Sequence, residues 1–214
     1  YLIKPGLKEK LEEFVTSGGT LILTYFSGIT DENDLCFTGG FPGPLRALAG
    51  IWAEELDTLY PGDIRHLRVP EGSRRGLKGD YQCSWFCERI HLETARAEAV
   101  FADGMYKGCP ALTRNRYGRG EVWYLAARAE QEFLTDWYGS LLRGQKIAPA
   151  GEKIPPGLEL SFREKAGVRY WFCTNFSRNE RAVQVPSGTE LLKGKPVKGT
   201  ILLKPLETAV IREK

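Results

Sequence analysis

Leu7, Leu11, Phe14 and Val15 stand at the i, i+4, i+7 and i+8 spacing of one helical face, and Lys8, Glu9, Lys10, Glu12 and Glu13 fill the wet side. That periodicity predicts an amphipathic helix. Gly18-Gly19 ends it, since glycine takes the left-handed conformation that helix ends need. The next six residues, TLILTY over 20–25, are a near-continuous apolar run, which predicts a strand covered on both faces. Helix, Gly-Gly and strand make half of a βαβ unit, and a strand buried on both faces needs neighbours, some of them expected upstream of Tyr1. After Phe26-Ser27-Gly28 comes a polar loop, Asp31-Glu32-Asn33-Asp34, and then Gly39-Gly40-Phe41-Pro42-Gly43-Pro44 leads into Leu45-Arg46-Ala47-Leu48. Pro44 suits the first turn of a helix, where its missing N–H costs nothing, so a helix is expected to start there.

From 81 to 126 the pattern changes to alternating, aromatic-rich strands, with a glycine-rich hairpin turn within 114–121. Phe133, Leu134, Trp137, Tyr138, Leu141 and Leu142 return to helical spacing. Residues 144–157, GQKIAPAGEKIPPG, have no period and read as a linker, which places a domain boundary near 150. Beyond it, short alternating runs at 158–162, 168–172, 182–185, 200–203 and 208–211, separated by Gly and Pro turns, predict a small antiparallel β domain.

With 42% hydrophobic and 11% aromatic residues the chain can build a core of ordinary size. The formal charge of +3 is spread along the sequence, so neither nucleic acid nor an anionic membrane is an expected partner. Arg74-Arg75 with Lys78, beside three glycines, reads as a solvated loop. No apolar run approaches the ~20 residues of a membrane helix. Five cysteines, Cys36, Cys83, Cys87, Cys109 and Cys173, are an odd and sparse set, which favours a reducing, cytoplasmic setting over a disulfide scaffold. Cys83 and Cys87 share a strand face by even spacing. With His91 they fall short of the four tightly spaced ligands of structural zinc, and they read as small buried hydrophobes. No metal or cofactor is expected.

Three other segments invite chemistry. Ser27, at the end of a buried strand, stands where a nucleophile elbow would sit, with His66 or His91 as its base, but the glycines that permit so strained a turn are missing. The 31–34 loop offers calcium-like oxygen ligands, yet Cys36 and Pro42 occupy the sixth and twelfth positions, where Gly and Glu are required. Tyr170-Trp171 could stack a sugar ring as a carbohydrate-binding module, although alternation puts one of the two in the core.

The ordered series TYFSG, DEND and GGFPGPLR within 18–50 resembles the trimerisation domain of glycoside hydrolase family 42 β-galactosidases. The ALTRNRYGRG hairpin at 111–120, with Trp123-Tyr124-Leu125, is similar to a later part of the same domain. Pro155-Pro156-Gly157-Leu158-Glu159 and 191–194 are similar to that family's C-terminal β domain. The resemblance implies an α/β domain of the class I glutamine amidotransferase-like (flavodoxin-like) kind over 1–150, truncated at its start, followed by a small antiparallel β domain over 151–214. It implies a homotrimer formed through the first domain, and a retaining hydrolysis of terminal β-D-galactosides by two glutamates on a (β/α)8 barrel that precedes these domains. No such barrel pattern is present, so the chain reads as a non-catalytic C-terminal fragment. Glu32, Asn33, Phe41, Pro42 and Arg46 are the implied contacts with a barrel or a neighbouring subunit. The amidotransferase likeness keeps a Ser27 hydrolase as the enzymatic alternative.

Overall fold

In the computed structural model, which describes residues 1–73, 76–148 and 154–214, the chain forms two units, Tyr1–Gln145 and Lys146–Lys214. The first contains β1 (Leu2–Ile3), α1 (Leu7–Thr16), β2 (Thr20–Thr24), β3 (Thr30–Asp31), a 3-10 turn (Gly43–Leu45) running into α2 (Arg46–Ala49), β4 (Ile51–Thr58) and β5 (Arg65–Arg68). It continues with β6 (Asp80–Leu92), β7 (Arg96–Phe101), β8 (Pro110–Tyr117), β9 (Gly120–Leu125), β10 (Ala127–Ala129) and α3 (Gln131–Gly144). An eight-stranded sheet runs β10-β6-β5-β7-β8-β9-β2, with β4 also paired to β6. Within it β2 and β9 are parallel, and the other pairings are antiparallel.

Strand β9 shows how the sheet is covered. Side chains alternate across a strand, and Val122, Tyr124 and Ala126 join a core with Val15 of α1 and Leu45 and Leu48 of the α2 region. Trp123, Leu125 and Ala127 join the opposite core with Phe133 and Trp137 of α3. The turn between β8 and β9 is the expected hairpin, with Gly118 at φ 58°.

Several expectations are corrected. β2 is an edge strand whose sole described neighbour is β9, and Leu23 is its one buried residue. Both its faces are packed, Leu21 and Leu23 against one core and Ile22 against the other, but most of its residues are only partly buried, since no second strand flanks it among the described residues. On α1, Val15 is buried while Phe14 is half exposed, its ring lying over Gly19 rather than in the core. The helix expected from Pro44 is a single turn ended by Gly50 at φ 67°. α3 extends through Gly144, into the segment read as a linker, whose residues 149–153 lie outside the described ones. Arg74 and Arg75 also lie outside them. The unit is mostly sheet, with few helices.

The second unit has β11 (Leu158–Lys165), β12 (Val168–Asn175), β13 (Arg181–Gln184), β14 (Gly188–Glu190), β15 (Lys195–Val197), β16 (Thr200–Leu203) and β17 (Thr208–Glu213). Five of these form an antiparallel sheet, β11-β12-β17-β14-β15, and β13 pairs with β16. Its core is Leu160, Trp171, Cys173, Val183, Val185, Val197, Leu203, Ala209 and Ile211. Asn175 is buried among them and donates its side-chain N–H groups to the carbonyls of Asn179, Leu203 and Lys204.

Candidate functional site

Two loops after β2 interlock through glycines. A Cβ on Gly28, at φ 64°, would come within 2.2 Å of the Pro42 carbonyl oxygen, and one on Gly43 within 2.8 Å of the Gly28 oxygen. A Cβ on Gly40, at φ 90°, would meet the Trp52 indole nitrogen at 1.7 Å. The glycines of this segment thus permit three close backbone approaches. Phe41 bridges Ala53 of β4 by two backbone hydrogen bonds of 3.1 and 2.7 Å and packs partly into the core on the α1 side. Pro42, behind a cis peptide, is buried. Arg46 clamps the loop from the other side. Its Nη1 donates to the Gly39 carbonyl at 3.1 Å, its Nε to Glu93 Oε1 at 2.9 Å, and its guanidinium lies 5.5 Å from the Trp52 ring centre. The Arg46 hydrogen bond holds the Glu93 carboxyl below its ordinary pKa.

The acidic loop is closed by its own first residue. Asp31 Oδ1 accepts the backbone N–H groups of Asn33 at 2.8 Å and Leu35 at 3.0 Å, an Asx-type turn. Glu32 and Asn33 are left exposed at the tip. The five residues implied by resemblance therefore divide: Phe41, Pro42 and Arg46 shape the loop from within the unit, and Glu32 and Asn33 face solvent.

Ser27 sits in a turn of its own making. Its Oγ accepts the Thr24 N–H at 3.3 Å and its N–H donates to the Thr24 carbonyl at 3.1 Å. His66 is bonded to Asp103 through Nδ1, and His91 bonds Glu54 at 2.7 Å while stacking on Trp52. Neither histidine hydrogen-bonds Ser27. The residue with unusual backbone is Phe26, at φ 64°, a conformation that costs a side-chain-bearing residue ~1–2 kcal/mol. Its N–H donates to Glu88 Oε1 at 3.1 Å, and Glu88 Oε2 accepts the Tyr124 hydroxyl at 2.7 Å. Burial pushes the Glu88 carboxyl above its ordinary pKa, against the two hydrogen bonds that lower it. Glu88 was not among the candidates read from sequence. The signal is present, since it lies two residues before buried Ile90 on one face of β6.

A cavity of about 390 Å³ lies between the sheet and α3, lined by Leu112, Glu121, Trp123, Trp137, Leu141 and Gln145 among others. Glu98, also on its wall, pairs with Arg114 at 2.9 Å, and the same guanidinium reaches Glu121 at 3.5 Å. Trp123 Nε1 donates to Glu121 at 2.9 Å. Both carboxylates are thus bound to one cation and held as acceptors. In the second unit Trp171 is core, its Nε1 bonded to Glu213 at 2.8 Å, and Tyr170 is half-buried. No group of three or more potential metal ligands occurs among the described residues, and none of their helices is long and apolar enough to cross a membrane.

Residues 1–148 match the family model of the β-galactosidase trimerisation domain and residues 157–213 that of the β-galactosidase C-terminal domain. The chain is 43% identical over 217 residues to β-galactosidase Pbg of Clostridium perfringens, covering all of this chain and 32% of that protein. It is 46% identical over 184 residues to β-galactosidase BglY of Alicyclobacillus acidocaldarius, covering 86% and 27%. Among solved structures, the β-galactosidase of Bacillus circulans sp. alkalophilus matches at TM-score 0.80 and 37% identity, over 100% of this chain and 32% of that one. The cold-adapted enzyme of Rahnella sp. R3 matches at TM-score 0.79 and 35% identity, over 99% and 31%. The chain thus spans about a third or less of the length of the relatives it matches.

Proposed function

The chain belongs to the β-galactosidases of glycoside hydrolase family 42, and from that membership we propose that it is a non-catalytic assembly segment of such an enzyme. The tandem match of two non-catalytic family models, one to each unit, carries this reading. Residues 1–150 are assigned to the trimerisation domain and 151–214 to the C-terminal β domain. Hydrolysis of terminal β-D-galactosides by the retaining route falls to a barrel elsewhere in the enzyme, where two carboxyl groups stand ~5 Å apart across the bond. On the wall of the cavity of about 390 Å³, Glu98 and Glu121 are both bound to Arg114, which suits structure better than proton transfer.

In the proposed enzyme three first domains pack about a three-fold axis and help to wall the clefts. Glu32 and Asn33 are the direct contacts. Phe41, Pro42 and Arg46 fix the neighbouring 39–46 loop, from which Phe41 and Arg46 add partly exposed edges. The amidotransferase-like ancestry of the first domain is supported by helices on both faces of the sheet, by the parallel pairing of β2 with β9, and by the turn at Phe26. A cytoplasmic location is supported by five free cysteines.

Two measurements on the 214-residue protein test the proposal. No turnover of a chromogenic β-galactoside is expected, and sedimentation should show association rising with concentration. Turnover that survives repurification would overturn the non-catalytic reading, and a monomer at every concentration would overturn the assembly reading.

A further inference from the structure

Cys83 and Cys87 are four residues apart on β6 and yet act as close neighbours. The adjacent strand β10 explains this. Ala129 pairs with Cys83 and Ala127 with Cys87, so one intervening residue on β10 faces three on β6. The extra residues form a bulge with Trp85 at its apex, at φ 71° and half exposed beside the Arg128 guanidinium. On its other side β6 changes partner across the same bulge, from β5 at Cys83 to β4 at Phe86 and Cys87. Two residues of β10 span roughly 6.5–7 Å, which sets the backbone separation of the cysteines near the upper end of what a disulfide bridges, about 4.4–6.8 Å. The side chains converge from there. Both thiols are buried, and their Sγ atoms are 3.9 Å apart in a thiol–thiol hydrogen bond.

We propose that Cys83 and Cys87 are a modification site, a dithiol that a small hydroperoxide converts into an intrachain disulfide across the β6 bulge. Cys87 is the attacking sulfur. It lines a pocket of about 10 Å³ with Asp57, Arg65, Asp103, Met105 and Tyr106, space on the scale of one water molecule. The hydrogen bond from Cys83 holds the Cys87 thiol below its ordinary pKa, with Arg65 adding to it against burial and the Asp57 and Asp103 carboxylates, and the same hydrogen bond and burial push the Cys83 thiol up. The Cys87 thiolate attacks one peroxide oxygen, the O–O bond breaks, and the departing hydroxide takes the proton of Cys83 to leave as water. Cys83 sulfur then attacks the sulfenic sulfur, the S–O bond breaks, and the second oxygen leaves as water with the proton the peroxide brought and one from solvent. The dithiol is oxidised by two electrons and the peroxide reduced by two. In a reducing compartment the pair stays open, and it closes when peroxide outpaces the reductant.

The test uses the wild-type 214-residue protein, reduced, exposed to hydrogen peroxide, then denatured, alkylated and digested with trypsin. Cleavage after Lys78 and Arg89 releases residues 79–89, which carry both cysteines and no other. The expected product is this peptide lighter by two hydrogens, without alkyl label, and restored to two labels by dithiothreitol. In a Cys83→Ser variant, which keeps a hydrogen-bond donor beside Cys87 but no second sulfur, Cys87 should stop at the sulfenic acid, trapped by dimedone. A wild-type peptide that keeps two labels while exposed Cys36 is oxidised, or that gains oxygen without bridging, would overturn the proposal whether or not the variant folds.

Discussion

Gly39 and Gly40 are adjacent and both have positive φ, but they answer to different constraints. A Cβ on Gly39 would meet nothing within 4 Å, whereas one on Gly40 would run into the Trp52 ring. Gly39→Ala should therefore cost only the backbone term, ~1–2 kcal/mol. Gly40→Ala adds displacement of an indole held by Arg46 and His91 and should cost at least ~3 kcal/mol. Urea unfolding of the two variants checks this, and equal losses would mean that the loop does not rest on Trp52. Glu88 gives a second contrast. Its folded pKa is raised by burial, so as pH climbs the unfolded chain releases this proton first. The stability it contributes is whole below the ordinary glutamate pKa of about 4.3 and is lost as pH rises through the raised value. Glu88→Gln should gain stability relative to wild type between pH 4 and pH 8, as followed by thermal melts. A constant difference would show that Glu88 does not titrate in that range.

Elements with a clean period were legible. The 7–16 helix, the 114–121 hairpin, the 131–144 helix and most strands of the second unit stand near where the spacing of apolar residues put them. β4 was not read, although its IWAEELDT sequence partly alternates, because its order comes from pairing with a distant strand, β6, and that partner is invisible locally. The α2 helix is shorter than the pattern predicts, since Gly50 ends it after one turn. In the 39–46 loop the motif is legible in the sequence but its mechanics are not. That Arg46 reaches back to Gly39, or that Gly28 lies against Pro42, depends on contacts between residues whose spacing has no period. α3 holds its face of the sheet largely through Phe133 and Trp137, both fully buried. Trp137→Ala should cost ~3–5 kcal/mol and lower the melting temperature by roughly 10 °C or more. A loss below ~1 kcal/mol would mean that α3 is not needed to cover the sheet.

The second unit has an apolar cluster of its own, running from Ile154 to Ile211, and a domain of about 60 residues is near the lower limit of independent stability. Residues 154–214 produced separately should still unfold cooperatively, followed by the fluorescence of Trp171, the one tryptophan in that segment. Broad, non-cooperative loss of signal would show that the cluster is insufficient by itself.

Strand β2 has β9 on one flank and no described strand on the other, so Thr20 and Ile22 present backbone groups to that second flank, while those of Thr24 are met by Ser27. Such an edge is a template for lateral growth of sheet. Handled without a cover for that flank, the protein should meet a solubility ceiling set by this strand edge rather than by its net charge. Above that ceiling, stacking at β2 would compete with the proposed three-fold assembly, and the species formed would be open-ended.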